Sequence, residues 1–540
     1  MPRRLHKQFF TVLTALFLCL ISVGVLAAGS EIIILHTNDT HCGVTDNLGF
    51  AKVAQLKKDL RKEGGPVLLV DAGDAIQGAP IGKLSQGESI VRIMNAVGYD
   101  FVIPGNHEFD YGMEKFLQLA PKMKCGYYCA NLIDIKTRKL VLPPYKIIAA
   151  GNKKLAFIGA TTPQTLTSST PKYFQDANGK FIYGFLEDNN GEKLYKALQE
   201  AVDNARKEGA DHVFIVGHLG TNGALPKWSS GAIAANTYNV DAIIDGHSHE
   251  QYVPPHIVVN KAGKDVLVVQ AGTKLQAVGK LVVHEDGKLS SSLVTKLEKA
   301  DPKVEKLVNS ELKRFDKILN QPVGEVMMTL TSDDPATGKR RVRNGETNLG
   351  DLAADAYRFV LDTDIALVNG GSIRKSIKPG VFTYNDLLEA FPFVNMCTVV
   401  EATGQQIVDA LEAGAVNYPE ESGAFMHVSG LTYAIDASIP SGVVKDVKGN
   451  FVEVKGERRI KDVKVDGRPI DLQKTYKVGG TSYILKDGGN GMVMFNGCNM
   501  LLDAVMTDVD AIMEYIQNHL NAKVKEGYEN PYGTGRITAK

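Results

Sequence analysis

The chain has 540 residues, of which 44% are hydrophobic and 23% are charged. This composition is ordinary for a soluble globular protein, and the length exceeds what one hydrophobic core usually supports, so we expect two or three domains. The 61 lysine and arginine residues equal the 61 aspartate and glutamate residues. Because the chain as a whole has no basic excess, neither a nucleic-acid polymer nor an anionic membrane surface is indicated as its partner.

Residues 1–28 have the pattern of a secretory signal. A basic start, MPRRLHK, is followed by FFTVLTALFLCLISVGVLAAGS, an apolar run that ends in small residues. This order predicts cleavage after Ala27 or Ala28. The run also approaches membrane-spanning length, so an uncleaved anchor is the alternative. In both cases we expect the body of the protein to be exported.

Five cysteines follow the predicted signal, and five is an odd number. At least one thiol must therefore stay free or pair with another chain. In the segment CGYYC, Cys125 and Cys129 could close a small disulfide in an oxidising compartment, or both could remain free thiols. The fold is not expected to depend on disulfides.

From Glu31 to about Val294, short apolar segments alternate with amphipathic ones. EIIILHTND and PVLLVDAGD are typical of buried strands that end in polar residues, and AKVAQLKKDLRKEG between them has helical spacing. SIVRIMNAVGYD predicts another helix, and FVIPGNHEFD predicts a strand followed by a loop. KLAFIGATT, HVFIVGHLG and DAIIDGHSHE predict further strands, and VLVVQAGTKLQAVGKLVVHEDGKL predicts closing antiparallel strands. This alternation indicates a layered α/β domain over 29–300.

A charged segment, KLEKADPKVEKLVNSELKRFDKILNQP, comes next. Its apolar residues recur at helical spacing, which predicts an exposed connecting helix over 301–325. Beyond it, DIALVNGGSIR, YNDLLEAFPFVN and TGQQIVDALEAGA indicate a second α/β domain over 326–540.

Polar side chains follow five of the predicted strands in the first domain. Ligands of an open α/β sheet collect beyond the carboxyl ends of its strands, so we expect these groups to converge. A single histidine or carboxylate pair after a strand is commonly structural, but five such strand ends in order argue for a shared site. The residues are Asp39 and His41, Asp71 and Asp74, Asn106, His107 and Asp110, His218, and His247 and His249.

This mixture of Asp, Asn and His ligands suits borderline divalent ions such as Mn, Zn, Fe or Co. The ligands are too many for one ion. Two ions that share a carboxylate, about 3.5–4 Å apart, suit in-line attack on phosphorus. The pattern therefore indicates phosphoryl chemistry at a dinuclear site.

The order Asp-x-His, Gly-Asp, Gly-Asn-His-Glu, Gly-His and Gly-His-x-His resembles the calcineurin-like metallophosphatases. From Glu31 to Lys540 the chain resembles the bacterial secreted 5′-nucleotidase family, which includes periplasmic UDP-sugar hydrolases and animal surface ecto-5′-nucleotidases. TNDTH, GNHEFD, GHSH, NGGSIR and FPFVN carry this resemblance. It implies an α/β fold in which an N-terminal four-layer metallophosphatase β-sandwich, flanked by helices, is joined by a linker helix to a smaller α/β C-terminal substrate-binding domain.

The resemblance also implies two divalent metal ions, such as Zn, Mn or Co. One would be bound by Asp39, His41 and His249. The other would be bound by Asn106, His218 and His247, with Asp74 bridging the two ions. The family varies at the position of His249, where glutamine also occurs.

His107 matches the family's catalytic histidine, and Asp110 matches its acidic partner. A cationic imidazole can stabilise charge that grows on the phosphoryl oxygens or the leaving group. A carboxylate three residues further on can hold the tautomer of the ring. The nucleophile would be a water activated by the two metal ions.

The resemblance places nucleotide recognition in the C-terminal domain. A guanidinium fork matches phosphate or carboxylate oxygens. The residues implied to contact phosphate or ribose are Arg343, Asn369 and Arg374, with Lys339 as a further candidate, and Phe393 would stack on the base with Asn395 beside it.

The segment TSYILKDGGNG departs from the family pattern. The second stacking residue would be Tyr483, although an ungapped register places Ile484 there. Asn490 stands where the family usually has aspartate, and an amide can form hydrogen bonds but adds no charge. These departures concern ribose contacts and substrate preference and leave the phosphatase chemistry unaffected.

We therefore expect an exported, periplasmic or surface enzyme that hydrolyses nucleoside 5′-monophosphates to nucleoside and phosphate. Nucleoside di- and triphosphates and UDP-sugars are further candidate substrates. The alternatives are a 2′,3′-cyclic-nucleotide phosphodiesterase, a nucleotide-sugar pyrophosphatase or a sulfur-ester hydrolase of the same superfamily, and an inactive nucleotide-binding surface protein. We expect no nucleic-acid polymer as a partner, no stable membrane insertion after signal cleavage, and a monomer or weak dimer.

Overall fold

The computed structural model describes residues 31–176, 178–221, 226–393 and 395–540. The predicted signal over 1–28 lies outside these residues. Within the described ranges, no helix combines the length and the apolar character needed to cross a membrane.

The first domain is built on two β-sheets that pack face to face. Its strands are β1 (Ile32–Thr37), β2 (Val67–Asp71), β3 (Phe101–Val102), β4 (Ile133–Asp134), β5 (Tyr145–Ala150), β6 (Lys153–Thr161), β7 (Tyr183–Gly184), β8 (His212–His218), β9 (Ala242–Ile244), β10 (His256–Val259), β11 (Asp265–Val269), β12 (Val278–Val283) and β13 (Leu289–Val294).

One sheet has the order β13-β12-β1-β2-β3, and the other has the order β10-β11-β9-β8-β6-β5. Strands β1 to β3 run parallel, as do β6, β8 and β9, so their carboxyl ends lie on one side. The predicted closing strands are antiparallel at β12 and β13, but β11 runs parallel to β9. Because β11 is antiparallel to its other neighbour, β10, the prediction fails only for the pairing of β11 with β9.

Helices cover the outer face of each sheet. The helices of the first domain are α1 (Gly49–Glu63), α2 (Pro80–Ser85), α3 (Glu88–Val97), α4 (Met113–Leu119), α5 (Thr165–Ser168), α6 (Glu192–Lys207) and α7 (Ser230–Asn236). A buried apolar layer that includes Ile34, Phe157 and Phe214 fills the space between the sheets. Separate cores lie under α1, α3 and α4 and under α6 and α7. The predicted four-layer arrangement of helix, sheet, sheet and helix is confirmed.

The connecting segment forms α8 (Pro302–Lys313) and α9 (Asp316–Leu319). The Asp301 side chain caps α8 by accepting hydrogen bonds from the backbone N–H groups of Lys303 and Val304. The predicted connecting helix is present and most of its residues are exposed, whereas Val304 and Val308 are buried against α1 and α3. Helical spacing of apolar residues predicts one buried face, and here that face packs on the first domain. The domain limits at 300 and 325 stay predictions.

The strands of the second domain are β14 (Pro322–Val326), β15 (Ile365–Asn369), β16 (Gly380–Thr383), β17 (Cys397–Thr403), β18 (Met426–Ser429), β19 (Leu431–Ile435), β20 (Val443–Lys445), β21 (Phe451–Val454), β22 (Ile460–Val465), β23 (Arg468–Pro469), β24 (Thr475–Thr481), β25 (Asn499–Leu502), β26 (Lys523–Val524) and β27 (Ile537–Ala539). They form a five-stranded central sheet with the order β18-β15-β24-β17-β25, a four-stranded sheet β23-β22-β19-β27 and a three-stranded sheet β16-β14-β26.

The helices of the second domain contribute to two cores. They are α10 (Asn348–Val360), α11 (Tyr384–Ala390), α12 (Gly404–Gly414), α13 (Ser482–Leu485) and α14 (Asp508–Glu514). Helices α10, α11 and α14 share one core, and α12 packs in the other with β19 and β22. The chain thus has the predicted second α/β domain.

Cys125 and Cys129 do not form a disulfide, because both are free thiols. Cys129 is fully buried, and its Sγ lies 3.2 Å from Oδ1 of Asn131. Of the two alternatives, the structure therefore has free thiols at these positions.

Candidate metal centre and substrate cavity

The polar residues that follow β1, β2, β3, β8 and β9 meet at one edge of the sandwich, as the sequence predicted. Several of them occupy a backbone conformation that side chains rarely adopt. Asp39, His41, Asp74, His247 and His249 all have positive φ values, between 44° and 80°. Left-handed backbone at non-glycine residues is uncommon and costs free energy, so it is retained where the surrounding structure determines it. The turns therefore aim these side chains at a common point.

Two glycines allow the loops after β2 and β3 to touch. A Cβ atom on Gly73 would collide with the backbone of Gly105, and one on Gly105 would collide with the side chain of Asp74. The buried carboxylate of Glu108 joins the same loops by accepting hydrogen bonds from the backbone N–H of Asp74 (2.8 Å) and Gly105 (2.6 Å). It also accepts one from Ala75 N–H, at 2.7 Å. Sequence reasoning missed Glu108, although GNHEFD contains it.

The ligand atoms of Asp39, His41 and His249 lie within 4.8 Å of one another, so these residues could hold one ion. Nε2 of His41 is 3.1 Å from Nε2 of His249, and Nε2 of His249 is 3.3 Å from Oδ1 of Asp39. This is the first of the two predicted ligand groups.

The ligand atoms of Asp74, His218 and His247 form a second group within the same limit. Oδ2 of Asp74 is 3.1 Å from Nε2 of His218 and 3.9 Å from Nε2 of His41. That oxygen therefore faces both groups, which is the position required of a bridging ligand.

Among the predicted metal ligands, two buried atoms lack a hydrogen-bond partner within the described residues. They are Oδ1 of Asn106 and Nε2 of His218. A buried polar atom without a partner costs free energy unless something else satisfies it, and a metal ion does so. The donor set of carboxylate, amide and imidazole suits borderline divalent cations. The residues present therefore fit a pair of divalent ions.

The buried carboxylates of the site also favour a positive charge beside them. Burial favours neutral His218, but the carboxylates of Asp74 and Asp39 outweigh it and raise the pKa of His218 to about 10. Burial likewise disfavours ionised Asp39, but His249 and His218 outweigh it and lower the pKa of Asp39 to about 2. Opposite charges at this distance stabilise one another, and a divalent cation would supply the same positive charge.

His107 and Asp110 form a short hydrogen-bonded pair, with 2.6 Å between Nδ1 and Oδ2. Asp110 is held in turn by the hydroxyl of Ser169, which donates to its Oδ1 at 2.9 Å. Burial disfavours the cationic ring, but Asp110 and Asp74 prevail and raise the pKa of His107. Nε2 of His107 lies 3.3 Å from Nη2 of Arg374 in the second domain.

A cavity of about 860 Å³ lies between the two domains and borders the metal-ligand groups. All seven predicted substrate residues line it, together with both predicted catalytic residues. The substrate residues are Arg343, Asn369, Arg374, Phe393, Asn395, Tyr483 and Asn490. Asp39, His41 and His218 do not line it, because they are buried beneath its floor.

Aromatic and cationic groups converge near His107. The Phe393 ring centre lies 5.6 Å from that of His107, and the Arg374 guanidinium lies 5.0 Å from the Phe393 ring centre. Burial, together with the charge of Arg374, lowers the pKa of Arg343. Burial and a neighbouring cation destabilise the charged guanidinium, and a bound anion would stabilise it. This wall of the cavity therefore suits a phosphate group.

Of the two candidates for the second stacking residue, Tyr483 lines the cavity, whereas Ile484 is buried in the core under α12. The Tyr483 hydroxyl donates to the Thr167 carbonyl of the first domain at 3.0 Å, and it lies 3.2 Å from Oδ1 of Asn490. Nδ2 of Asn490 donates to the Gly423 carbonyl at 3.2 Å. Asn490 therefore uses its amide to hold Tyr483 and the 423 loop.

Other cavity residues were missed. Lys339, a candidate from the sequence, is exposed and does not line the cavity, whereas its neighbour Arg340 does. Lys445 and Gly449 also line it from the β20–β21 hairpin. Arg340 was visible in the basic run RRVR, but no local pattern marked the hairpin as part of the site.

A two-layer sheet sandwich with paired ligand groups at its strand ends defines a phosphoesterase of the calcineurin-like class. The sequence agrees with this, because residues 32–251 match the family model of the calcineurin-like phosphoesterases. Residues 323–497 match that of the 5′-nucleotidase C-terminal domain.

Several known proteins are similar to this chain along most of their length. A 5′-nucleotidase of Vibrio cholerae is 28% identical over 531 residues, which cover 90% of this chain and 90% of that protein. The protein UshA of Escherichia coli is 27% identical, covering 90% of this chain and 91% of its own. The crystal structure of a 5′-nucleotidase precursor from Thermus thermophilus superposes with a TM-score of 0.77 at 26% identity, covering 94% and 99% of the two chains. The chain belongs to the 5′-nucleotidase family of phosphoester hydrolases.

Proposed function

We propose that this protein hydrolyses nucleoside 5′-monophosphates to nucleoside and phosphate with two divalent metal ions. The observation that carries the proposal is the composition of the cavity between the domains. Two metal-ligand groups lie at one end of the cavity, and arginine and aromatic side chains line the wall contributed by the second domain. A nucleotide has the matching order of phosphate, ribose and base.

The metal ions would be held by Asp39, His41 and His249 and by Asn106, His218 and His247, with Asp74 between them. When bound, such ions lower the pKa of a coordinated water and draw charge from the phosphoryl oxygens. Glu108 fixes the loop that carries Asp74, because its carboxylate binds the Asp74 and Gly105 backbone at once. The protein's own contribution is thus a rigid ligand set.

His107 would act on the phosphoryl group or the leaving oxygen. Asp110 holds Nδ1, so the tautomer is set and Nε2 is directed toward the cavity and Arg374. Although burial acts in the opposite direction, the carboxylates of Asp110 and Asp74 raise the pKa of His107, which favours the protonated ring. A phosphoryl oxygen between Nε2 of His107 and the Arg374 guanidinium would accept a hydrogen bond from each, which stabilises growing negative charge.

The remaining cavity residues would hold the nucleoside. Arg343 adds positive charge for the phosphate, and Phe393 and Tyr483 offer aromatic faces for the base. The amides of Asn369, Asn395 and Asn490 also line the cavity. Asn395 donates from Nδ2 to Asp508 at 3.1 Å, which leaves its amide oxygen as an acceptor.

A substrate panel with metal analysis tests the proposal. The purified protein, with its metal content measured, is assayed on AMP, IMP, UMP, ADP, UDP-glucose, 2′,3′-cyclic AMP and a sulfur ester. We expect the highest kcat/KM on the 5′-monophosphates. A preference for a cyclic nucleotide, a nucleotide sugar or a sulfur ester would replace the proposed reaction with that alternative, and metal binding without turnover would indicate an inactive binding protein.

His107→Ala tests the catalytic assignment. Loss of a positioned proton donor typically lowers the rate by about 10²- to 10⁴-fold, so we expect a fall of that order with unchanged metal content. The matched control is His256→Ala, because His256 is exposed and stands on β10, away from the ligand groups. Normal AMP hydrolysis by His107→Ala would show that the assignment is wrong.

Export is part of the proposal, and the basic, apolar and small residues of the first 28 positions support it. The monomer or weak dimer expected from the sequence also stays a prediction.

A further inference from the structure

The hairpin formed by β20 and β21 is a well-defined part of the second domain. Its turn is held by Asp446, whose Oδ1 accepts hydrogen bonds from the backbone N–H of Lys448 at 2.9 Å and of Asn450 at 2.8 Å. A further bond joins Gly449 N–H to the Asp446 carbonyl at 3.0 Å. Such a turn fixes the direction of the hairpin tip.

The hairpin contacts both domains. Its Gly449 carbonyl packs so closely on Gly491 that a Cβ atom there would collide with it. Across the domain boundary, Nζ of Lys448 lies 4.0 Å from the ring centre of Phe181 in the first domain, a cation–π contact. With Lys445 and Gly449 lining the cavity, the hairpin is one of the walls of the substrate site.

Lys445 is a half-buried cation without a protein counter-charge. Among the described residues, no carboxylate lies within 4.0 Å of its ammonium nitrogen, and burial lowers its pKa without a charged neighbour contributing. Arg340, on the same cavity, differs because it pairs with Glu421. A desolvated ammonium that faces a cavity lowers its free energy when a ligand supplies acceptors.

The position of the hairpin shows which part of a nucleotide Lys445 would meet. Gly449 packs on Gly491, the residue after Asn490, and Asn490 is hydrogen-bonded to Tyr483. Under the proposed function, Tyr483 belongs to the base end of the cavity and the ligand groups to the phosphate end. The hairpin that carries Lys445 therefore borders the base end of the cavity.

The bases differ in what they offer an ammonium group. Guanine and hypoxanthine present two adjacent acceptors, O6 and N7, whereas adenine presents N7 beside an N6 amino donor. Lysine has only donors, so it binds the first edge and is repelled by the amino group of the second. We propose that Lys445 is a specificity-determining residue that selects 6-oxopurine nucleotides over adenine nucleotides. This inference rests on the proposed function.

The test compares ligands that differ at position 6 of the purine. For the wild-type protein, we expect kcat/KM on IMP to exceed that on AMP by about tenfold, and calorimetry to show tighter binding of inosine than of adenosine. Purine riboside, which lacks a 6-substituent, should bind like adenosine. Lys445→Met should bring the IMP to AMP ratio close to one by raising the KM for IMP, and Lys445→Arg should retain the preference.

Lys455→Met is the matched control, because Lys455 is exposed, follows β21 directly and pairs with Glu453. It should leave the ratio unchanged. If Lys445→Met leaves the ratio of kcat/KM for IMP to that for AMP unchanged, for example because both values fall equally, the inference is overturned. It is also overturned, without any variant, if the wild-type protein hydrolyses IMP and AMP with equal kcat/KM.

Failure of the proposed function has a different signature. A protein that hydrolyses no nucleotide but binds inosine better than adenosine, with Lys445→Met abolishing the difference, retains the inference about the base and loses the proposed reaction. A protein that hydrolyses IMP and AMP equally retains the reaction and loses the inference. Absence of both hydrolysis and nucleoside binding overturns both.

Discussion

The ammonium nitrogen of Lys83 lies 3.2 Å from the carbonyl oxygen of Phe393, so a lysine of the first domain holds the backbone of a cavity residue in the second. Lys83 belongs to α2 and is half-buried. Burial lowers its pKa, although the carboxylates of Asp508 and Asp510 act in the opposite direction. Asp508 also accepts the hydrogen bond from Asn395. Lys83 therefore links the first domain to the loop of the second domain that carries Phe393 and Asn395.

Lys83→Met should raise the KM for nucleoside monophosphates by about tenfold, because a hydrogen bond from a charged donor is lost and the Phe393 loop is freed. Metal content should not change. The measurement is steady-state kinetics on AMP and IMP, with Lys124→Met, an exposed lysine of the same domain, as control. An unchanged KM would mean that the contact does not position the loop.

Glu108→Gln should weaken metal binding without removing a metal ligand. The glutamine amide would place an N–H₂ group against backbone N–H groups that now donate to a carboxylate, so the loops after β2 and β3 would separate. Loss of such a supporting contact typically costs 10- to 100-fold in metal affinity, or about 2 kcal/mol. Metal affinity is measured by competition with a chelator.

Glu114→Gln is the control for this variant, since Glu114 is an exposed residue at the start of α4. Its metal affinity should equal that of the wild type. If Glu108→Gln also binds metal normally, the carboxylate contributes to folding alone.

The two histidines of GHSHE should respond differently to substitution. We expect His247→Ala to empty the second metal site, because it removes one ligand from the group that also holds His218, Asp74 and Asn106. His249→Gln should retain two ions and measurable activity, because the amide oxygen can still act as a ligand. Metal stoichiometry per chain, determined by elemental analysis, distinguishes these results.

The control is His256→Gln, which should leave both ions in place because His256 is exposed on β10. Two ions in His247→Ala would contradict the assignment of His247 to the second site. One ion and no activity in His249→Gln would show that glutamine cannot replace the histidine at the first site.

The metal-ligand region was predictable because each ligand directly follows a buried strand, and parallel strands bring their carboxyl ends to one edge. His218, for example, is the last residue of β8, so the local pattern of apolar run and polar end was sufficient. Phe393 and Arg374 were predicted only from the resemblance to a known family.

Residues whose role depends on packing between distant segments left no such pattern, which explains why Glu108, Lys83 and Lys445 were missed. The apolar stripe of α8 was visible in the sequence, but a charge-rich segment does not show what packs on that stripe.

His36 should make the protein sensitive to acid independently of the metal ligands. The ring is fully buried on β1, packs over its cross-strand neighbour Gly279 and has no hydrogen-bond partner at either nitrogen within the described residues. Burial lowers the pKa of His36 to about 4, from about 6.5 for an unperturbed histidine. Between these values the unfolded chain binds a proton that the folded protein does not. The contribution of His36 to the free energy of unfolding therefore falls as the pH drops from about 6.5 to about 4, by about 3 kcal/mol in total, and changes little below that.

His36→Leu removes this proton-linked destabilisation, because leucine fills a similar volume and does not titrate. We expect the variant and the wild type to differ most at pH 4 and progressively less toward pH 7, as measured by denaturant unfolding of metal-free protein across this range. His256→Leu, at an exposed histidine, should follow the wild-type curve. Parallel curves for His36→Leu and wild type from pH 4 to 7 would mean that the buried ring is protonated in the folded state and that its environment holds a counter-charge.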